Sequence, residues 1–202
     1  KLSIPSVSIA HNMQAFAFYS PTLKNRLATY LRNKLFNFSF IERLMQVKSL
    51  DFIGLNYYSR NLVDVKKWFW SNLLLDACPP SYSGLPKNSL GWDIYPQGLY
   101  SLLRELKKYK LPVFILENGI CTEDDQLRWN FIRQHLNSIY LAMQEGVEVL
   151  GYIYWSLMDN FEWDKGFGAR FGLIGIDYTN FDRCVRESAK KLAQVCKTNK
   201  LI

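Results

Sequence analysis

Four short apolar runs, residues 2–10, 51–59, 111–119 and 147–155, are each followed further along the chain by a segment with helical spacing, and no hairpin signal separates one run from the next. This order constrains the fold more than any other feature. Parallel strands cannot be joined by a tight turn, so strand-then-helix units in series call for a parallel sheet with crossover helices, an α/β architecture. The helices are expected at 22–34, 39–47, 96–110, about 124–145 and 187–197. Pro96 suits a first helical turn, Asp124 and Asp125 put negative charge at the start of the longest helix, and Gly146 ends it. Pro5 weakens the start of the first strand. Residues 60–92 and 156–170 carry no clear period and read as long loops, which in compact domains are usually functional or disordered.

A chain of 202 residues can bury one good core, yet it is short for the large barrel architectures. Half of it is apolar and 15% is aromatic, more ring surface than such a core needs, so some rings are expected to line a site. The formal charge of +7 is spread over several predicted helices, with Arg104, Lys107, Lys108 and Lys110 as the solvated face of one of them; this argues against a nucleic-acid surface. Cys78, Cys121, Cys184 and Cys196 form no CxxC pair and have no histidine at ligand spacing, so free thiols and no zinc are expected. No stretch approaches the roughly 20 apolar residues of a membrane span, and no signal peptide is visible. The expectation is a cytoplasmic protein with no membrane or nucleic-acid partner.

Polar and aromatic residues gather at the end of each predicted strand: His11 and Asn12, Asn56 to Tyr58, Glu117 and Asn118, and Trp155 onward. Glu117 is the most pointed case, because Val113 to Leu116 form a run suited to burial on both faces, and a carboxylate at its end is costly unless it emerges into a cleft. On that stretch alone, Asn118 and Gly119 could equally mark an ordinary surface turn. Singly, His11 could be a satisfied core histidine, and Tyr57, Trp155 and Trp163 could be packing. In parallel α/β folds, however, sites form beyond the carboxyl ends of the strands, so all four clusters would meet in one place.

The segments "DFIGLNYYS", "LENG" and "GYIYWSLMDNFEWDKGFGARFGL" resemble the C-terminal half of a glycoside hydrolase family 1 enzyme, the family of β-glucosidases and related retaining β-glycosidases. The resemblance covers essentially the whole chain. It implies that residues 1–202 form a single partial domain, strands five to eight of a (β/α)8 TIM barrel, with residues 1–12 as the fifth strand. It also implies roles. Glu117 matches the catalytic nucleophile and Tyr58 the phenol that hydrogen-bonds it. Asn56 matches a polar residue packed beside the acid pair, and Trp155 the indole on which the sugar stacks. Glu162 matches the carboxylate that accepts from the 4- and 6-hydroxyls, Trp163 the neighbouring indole donor, and Phe171 a ring of the same subsite.

A retaining glycosidase needs two carboxyl groups about 5 to 5.5 Å apart, one as nucleophile and one as general acid. The family's acid/base lies in a Thr-x-Asn-Glu-Pro motif on the fourth strand, and no such motif occurs here. The resemblance therefore implies β-glucoside hydrolysis through a glycosyl-enzyme when a complementary N-terminal half-barrel, or self-association, completes the barrel. The alternative is a non-catalytic half that binds sugar or a protein partner, or an inactive fragment. The implied substrates are β-glucosides, then β-galactosides and β-fucosides, but not 6-phosphosugars; Lys165, read as a solvated charge, is the one feature on the other side. No cofactor or metal is implied.

Overall fold

The computed structural model describes residues 6–65 and 83–201. In chain order the elements are β1 (Ala10–Phe18), α1 (Leu23–Arg32), a π-helical turn (Asn33–Phe38), α2 (Ser39–Gln46), β2 (Ile53–Val63), α3 (Pro96–Leu106), β3 (Val113–Asn118), α4 (Asp125–Gln144), β4 (Val149–Tyr154), β5 (Ile174–Ile176), β6 (Arg183–Val185) and α5 (Glu187–Thr198). Strands β1 to β4 form one sheet in sequence order, every neighbouring pair parallel, as the serial strand-helix pattern requires.

Local chemistry sets the helix ends. The Thr22 hydroxyl caps α1, Pro96 occupies the first turn of α3, and the Asp124 carboxylate accepts the amides of Gln126 and Leu127 at 2.9 and 3.1 Å to start α4. Beyond α4, Gly146 takes φ +82°, a left-handed conformation that side chains disfavour. On β3, Val113 and Ile115 are fully buried in the main core with Leu55, Leu99, Leu103, Ile139 and Ala142, which lies between the sheet and the helices. Phe114 and Leu116 are only partly buried. Two apolar residues of the open edge strand β4, Leu150 and Ile153, stand 52% and 48% exposed.

Three expectations change. The first strand, expected over 2–10, begins at Ala10 and runs to Phe18; residues 6–9 are not in a strand and 2–5 lie outside the described residues. His11 and Asn12 therefore sit at its start. The polar pair does not end the strand because pairing with Leu55 and Asn56 satisfies the backbone, and the His11 ring reaches the Asn37 carbonyl in the π turn at 2.9 Å. The second strand extends past Ser59 to Val63. Beyond the expected 156–170 loop, an antiparallel pair of three-residue strands, β5 and β6, occupies a stretch before α5 where the sequence suggests no element. Cys78 and most of the expected 60–92 loop lie outside the described residues; Cys121 is buried and unpaired, and Cys184 and Cys196 are exposed and unpaired. Among the described residues no helix is long and apolar enough to cross a membrane.

Candidate active site

The parallel register fixes which side chains meet. Asn12 pairs with Asn56, Asn56 with Glu117, and Asn118 with Tyr154, so the Asn56–Tyr58 stretch inside β2 comes level with the carboxyl ends of β3 and β4. At this level the Tyr58 hydroxyl donates to Glu117 Oε2 at 2.7 Å. Burial, then the hydrogen bond to Glu117 and the charges of Glu117 and Glu162, push the Tyr58 phenol far above its ordinary range, which keeps it a donor.

Asn118 holds the strand end. Its Nδ2 donates to the Tyr57 carbonyl at 2.7 Å, its Oδ1 accepts from Tyr152 at 3.0 Å, and its carbonyl accepts the Trp155 amide at 3.0 Å. The next residue must be glycine: a Cβ on Gly119 would lie 1.7 Å from the Trp155 carbonyl oxygen. The backbones that carry Glu117 and Trp155 are thus pressed together.

Trp155 opens the loop after β4 and Phe171 closes it. The Trp155–Ser156 peptide is cis. Trp155 Nε1 donates to Glu162 Oε1 at 3.0 Å, and the Glu162 residue is only 9% exposed. Phe171 packs with Cys121 and Ala169, against which Tyr58 and Trp155 also lie. Its ring meets Tyr58 edge-on at 6.2 Å, and Trp92 touches both, at 6.1 Å from Tyr58 and 6.2 Å from Phe171. The result is one carboxylate held by a phenol, a second carboxylate held by an indole, and an aromatic wall joining them.

The residues singled out from sequence fall into three groups. Glu117, Tyr58, Trp155, Glu162 and Phe171 come together. Asn56 is 8% exposed, in register with Glu117, and its Oδ1 is buried with no partner among the described residues. Trp163 stands apart, 87% exposed at the start of a 3-10 turn, and Lys165 pairs on the surface with Asp164 at 2.7 Å. Tyr57 is a core residue whose hydroxyl donates to the Tyr95 carbonyl at 2.6 Å.

Sequence reasoning missed Trp92 and Asp159. The Asp159 carboxylate is buried within the loop, where it accepts the Gly172 amide at 2.8 Å and the guanidiniums of Arg186 at 3.0 Å and Arg170 at 3.4 Å. It lies inside a quoted motif, but its partner Arg186 is 27 residues away and no local spacing signals it.

Comparison with known proteins decides the family. The family model for glycosyl hydrolase family 1 matches residues 9–201. The chain belongs to glycosyl hydrolase family 1. Among curated relatives it is 38% identical over 169 residues to beta-glucosidase A of Thermotoga maritima, covering 76% of this chain and 36% of that protein. It is 33% identical over 208 residues to the chloroplastic galactolipid galactosyltransferase SFR2 of Arabidopsis thaliana, covering 99% of this chain and 30% of that one. Of solved structures, a beta-glycosidase from Pyrococcus horikoshii superposes with a TM-score of 0.88 at 33% identity, over 98% of this chain and 49% of that chain. This family member carries part of the TIM-barrel fold of those structures, and it spans about a third of the length of those two curated relatives.

Proposed function

We propose that this chain supplies the last four strand-helix units of a (β/α)8 barrel, and that the completed barrel is a retaining β-glycosidase acting on β-glucosides. In this reading Glu117 is the nucleophile. It attacks the anomeric carbon, the aglycone oxygen leaves with a proton from the general acid, and water then cleaves the glycosyl ester. The general acid belongs to the other half of the barrel, in the motif this chain lacks. Tyr58 steadies the carboxylate as a donor, Trp155 offers its ring face to the sugar with the buried Phe171 packed beside it, and Glu162 accepts from the sugar's hydroxyls; Asn56 completes the polar lining, and the exposed Trp163 joins it by turning its indole inward when sugar binds. The observation that carries the reading is the 2.7 Å hydrogen bond from Tyr58 to Glu117 at a parallel strand end, beside the Trp155–Glu162 pair.

The test is covalent. The chain is joined to the portion of Thermotoga maritima beta-glucosidase A that its match leaves uncovered, and the product is treated with an activated 2-deoxy-2-fluoro-β-glucoside. The expected result is a glycosyl ester on the peptide containing Glu117, and loss of both labelling and turnover in Glu117→Gln, because an amide is a very poor nucleophile. A label on any other residue overturns the assignment. The similarity to a galactosyltransferase supports a second reading, in which the same glycosyl ester passes to a sugar hydroxyl instead of water. Product analysis in the presence of a galactoside acceptor separates the two.

A further inference from the structure

We propose that Arg128 and Arg186 are positioning residues that fix Phe171 and, through its ring, the Tyr58–Glu117 pair; this rests on Glu117 being the nucleophile. One arginine lies on α4 and the other precedes α5, and they grip the backbone on either side of one aromatic residue. Arg128, fully buried on α4, donates from Nη2 to the carbonyl of Arg170 at 3.1 Å and to that of Thr122. Arg186, just before α5, donates from Nη1 to the carbonyl of Gly172. The peptide unit before Phe171 is thus held by Arg128, the one after it by Asp159 through the Gly172 amide, and the next, Gly172–Leu173, by Arg186. The Thr122 amide also donates to the Arg170 carbonyl, at 3.0 Å.

Both guanidiniums are themselves anchored. Arg128 Nη1 donates to Asp125 at 2.8 Å, and Asp125 accepts the Ser188 amide at 2.9 Å and its hydroxyl at 2.6 Å, which ties the start of α5 to the start of α4. Arg186 is held by the buried Asp159 carboxylate at 3.2 and 3.0 Å, and the same carboxylate accepts the Gly172 amide. Gly172 permits this close approach, since a Cβ there would lie 2.2 Å from the Asp159 amide nitrogen. Phe171, itself 3% exposed, then presents its ring edge-on to Tyr58 at 6.2 Å, and Tyr58 donates to Glu117. A planar fork with several fixed donors suits this job, whereas a lysine offers a single point of attachment.

The test uses the completed barrel and the rate of covalent labelling by the 2-fluoro glucoside, which reports attack by Glu117 without product release. Arg186→Lys and Phe171→Leu are each expected to slow labelling roughly tenfold to a hundredfold, since a nucleophile displaced by a fraction of an ångström loses that much. In the Phe171→Leu background, Arg186→Lys is expected to cause no further loss, because its effect travels through the ring. Asp159→Asn, which loosens Arg186 without removing it, carries the same expectation should the lysine variant not fold. Independent, multiplicative losses, or a lowered melting temperature with wild-type labelling, overturn the proposal. If Glu117→Gln still labels, the underlying assignment has failed; if only the arginine and Phe171 variants behave as wild type, this inference alone has failed.

Discussion

His135 is predicted to make this fold sensitive to mild acid. It lies on α4, wholly buried, with its ring stacked 3.8 Å from Phe131 and 6.0 Å from Tyr57. Its Nδ1 hydrogen donates to the Phe131 carbonyl at 2.8 Å, which leaves Nε2 as a bare acceptor with no partner among the described residues. Burial pushes its pKa down from 6.5 to about 4, opposed in part by that hydrogen bond. The folded state therefore refuses a proton that the unfolded chain accepts. Stability is full above pH 6.5, falls as pH drops towards 4, and levels off below it. At 1.36 kcal/mol per unit, linkage gives a loss of about 2 kcal/mol at pH 5 and about 3 kcal/mol at pH 4. The window is clean with respect to two structured carboxyls. Burial alone would raise Asp93 and Asp125, but hydrogen bonds from Arg60, Lys87 and Ser83 to the first, and from Ser188 and Arg128 to the second, hold both below the usual range. Their contributions are lost only at lower pH. His135→Leu removes the titration and, at neutral pH, costs about 1 kcal/mol for the lost hydrogen bond. Urea denaturation of the completed barrel at pH 7 and pH 5 measures the difference. The variant should lose about 2 kcal/mol less than the parent over that interval; equal losses refute the reasoning.

Gly119→Ala drives a methyl group against the Trp155 carbonyl, 1.7 Å away, and forces two backbones apart; a loss of about 3 kcal/mol is expected, read as a fall in melting temperature together with loss of labelling at Glu117. An unchanged melting temperature removes the argument for that close approach. Glu162, buried and bonded to Trp155, would face the dianion of a 6-phosphosugar, and like charges so placed cost several kcal/mol. The ratio of kcat/KM for p-nitrophenyl β-glucoside over its 6-phosphate should therefore exceed roughly a hundredfold, and a preference for the phosphate would overturn the role given to Glu162.

What the sequence conveys well is whatever repeats within a window of ten or so residues. The serial strands and helices were legible because Val113 to Leu116 and the spacing of α3 and α4 are local signals. Pro96, Asp124 and Gly146 mark helix ends by chemistry that acts within one turn. Three strands escaped, wholly or in part, because nothing local marks them. Strands β5 and β6 have three residues each, too short for any period to appear, and β1 continues through His11 and Asn12 because its ladder partner, not its composition, decides the pairing.

The site divides along the same line. Glu117 at the end of a buried run was legible as a carboxylate needing a cleft, but its bond to Tyr58 spans 59 residues and came into view only through the family resemblance. The supports behind it were not legible at all. Arg128 reaches Arg170 across 42 residues and Asp125 reaches Ser188 across 63, so in sequence each is one charge among many on a solvated-looking helix. Yet Arg128 is fully buried, and burying a guanidinium is tolerable only where most of its donors find acceptors; here Nη1 and Nη2 reach two backbone carbonyls and a carboxylate, while Nε has no partner among the described residues. The parallel register brings Asn56, Glu117 and the end of β4 to one level at no cost in sequence pattern, which is why the reactive groups can be guessed. Holding the loops beyond that level takes partners chosen by three-dimensional neighbourhood, and such partners leave no local trace.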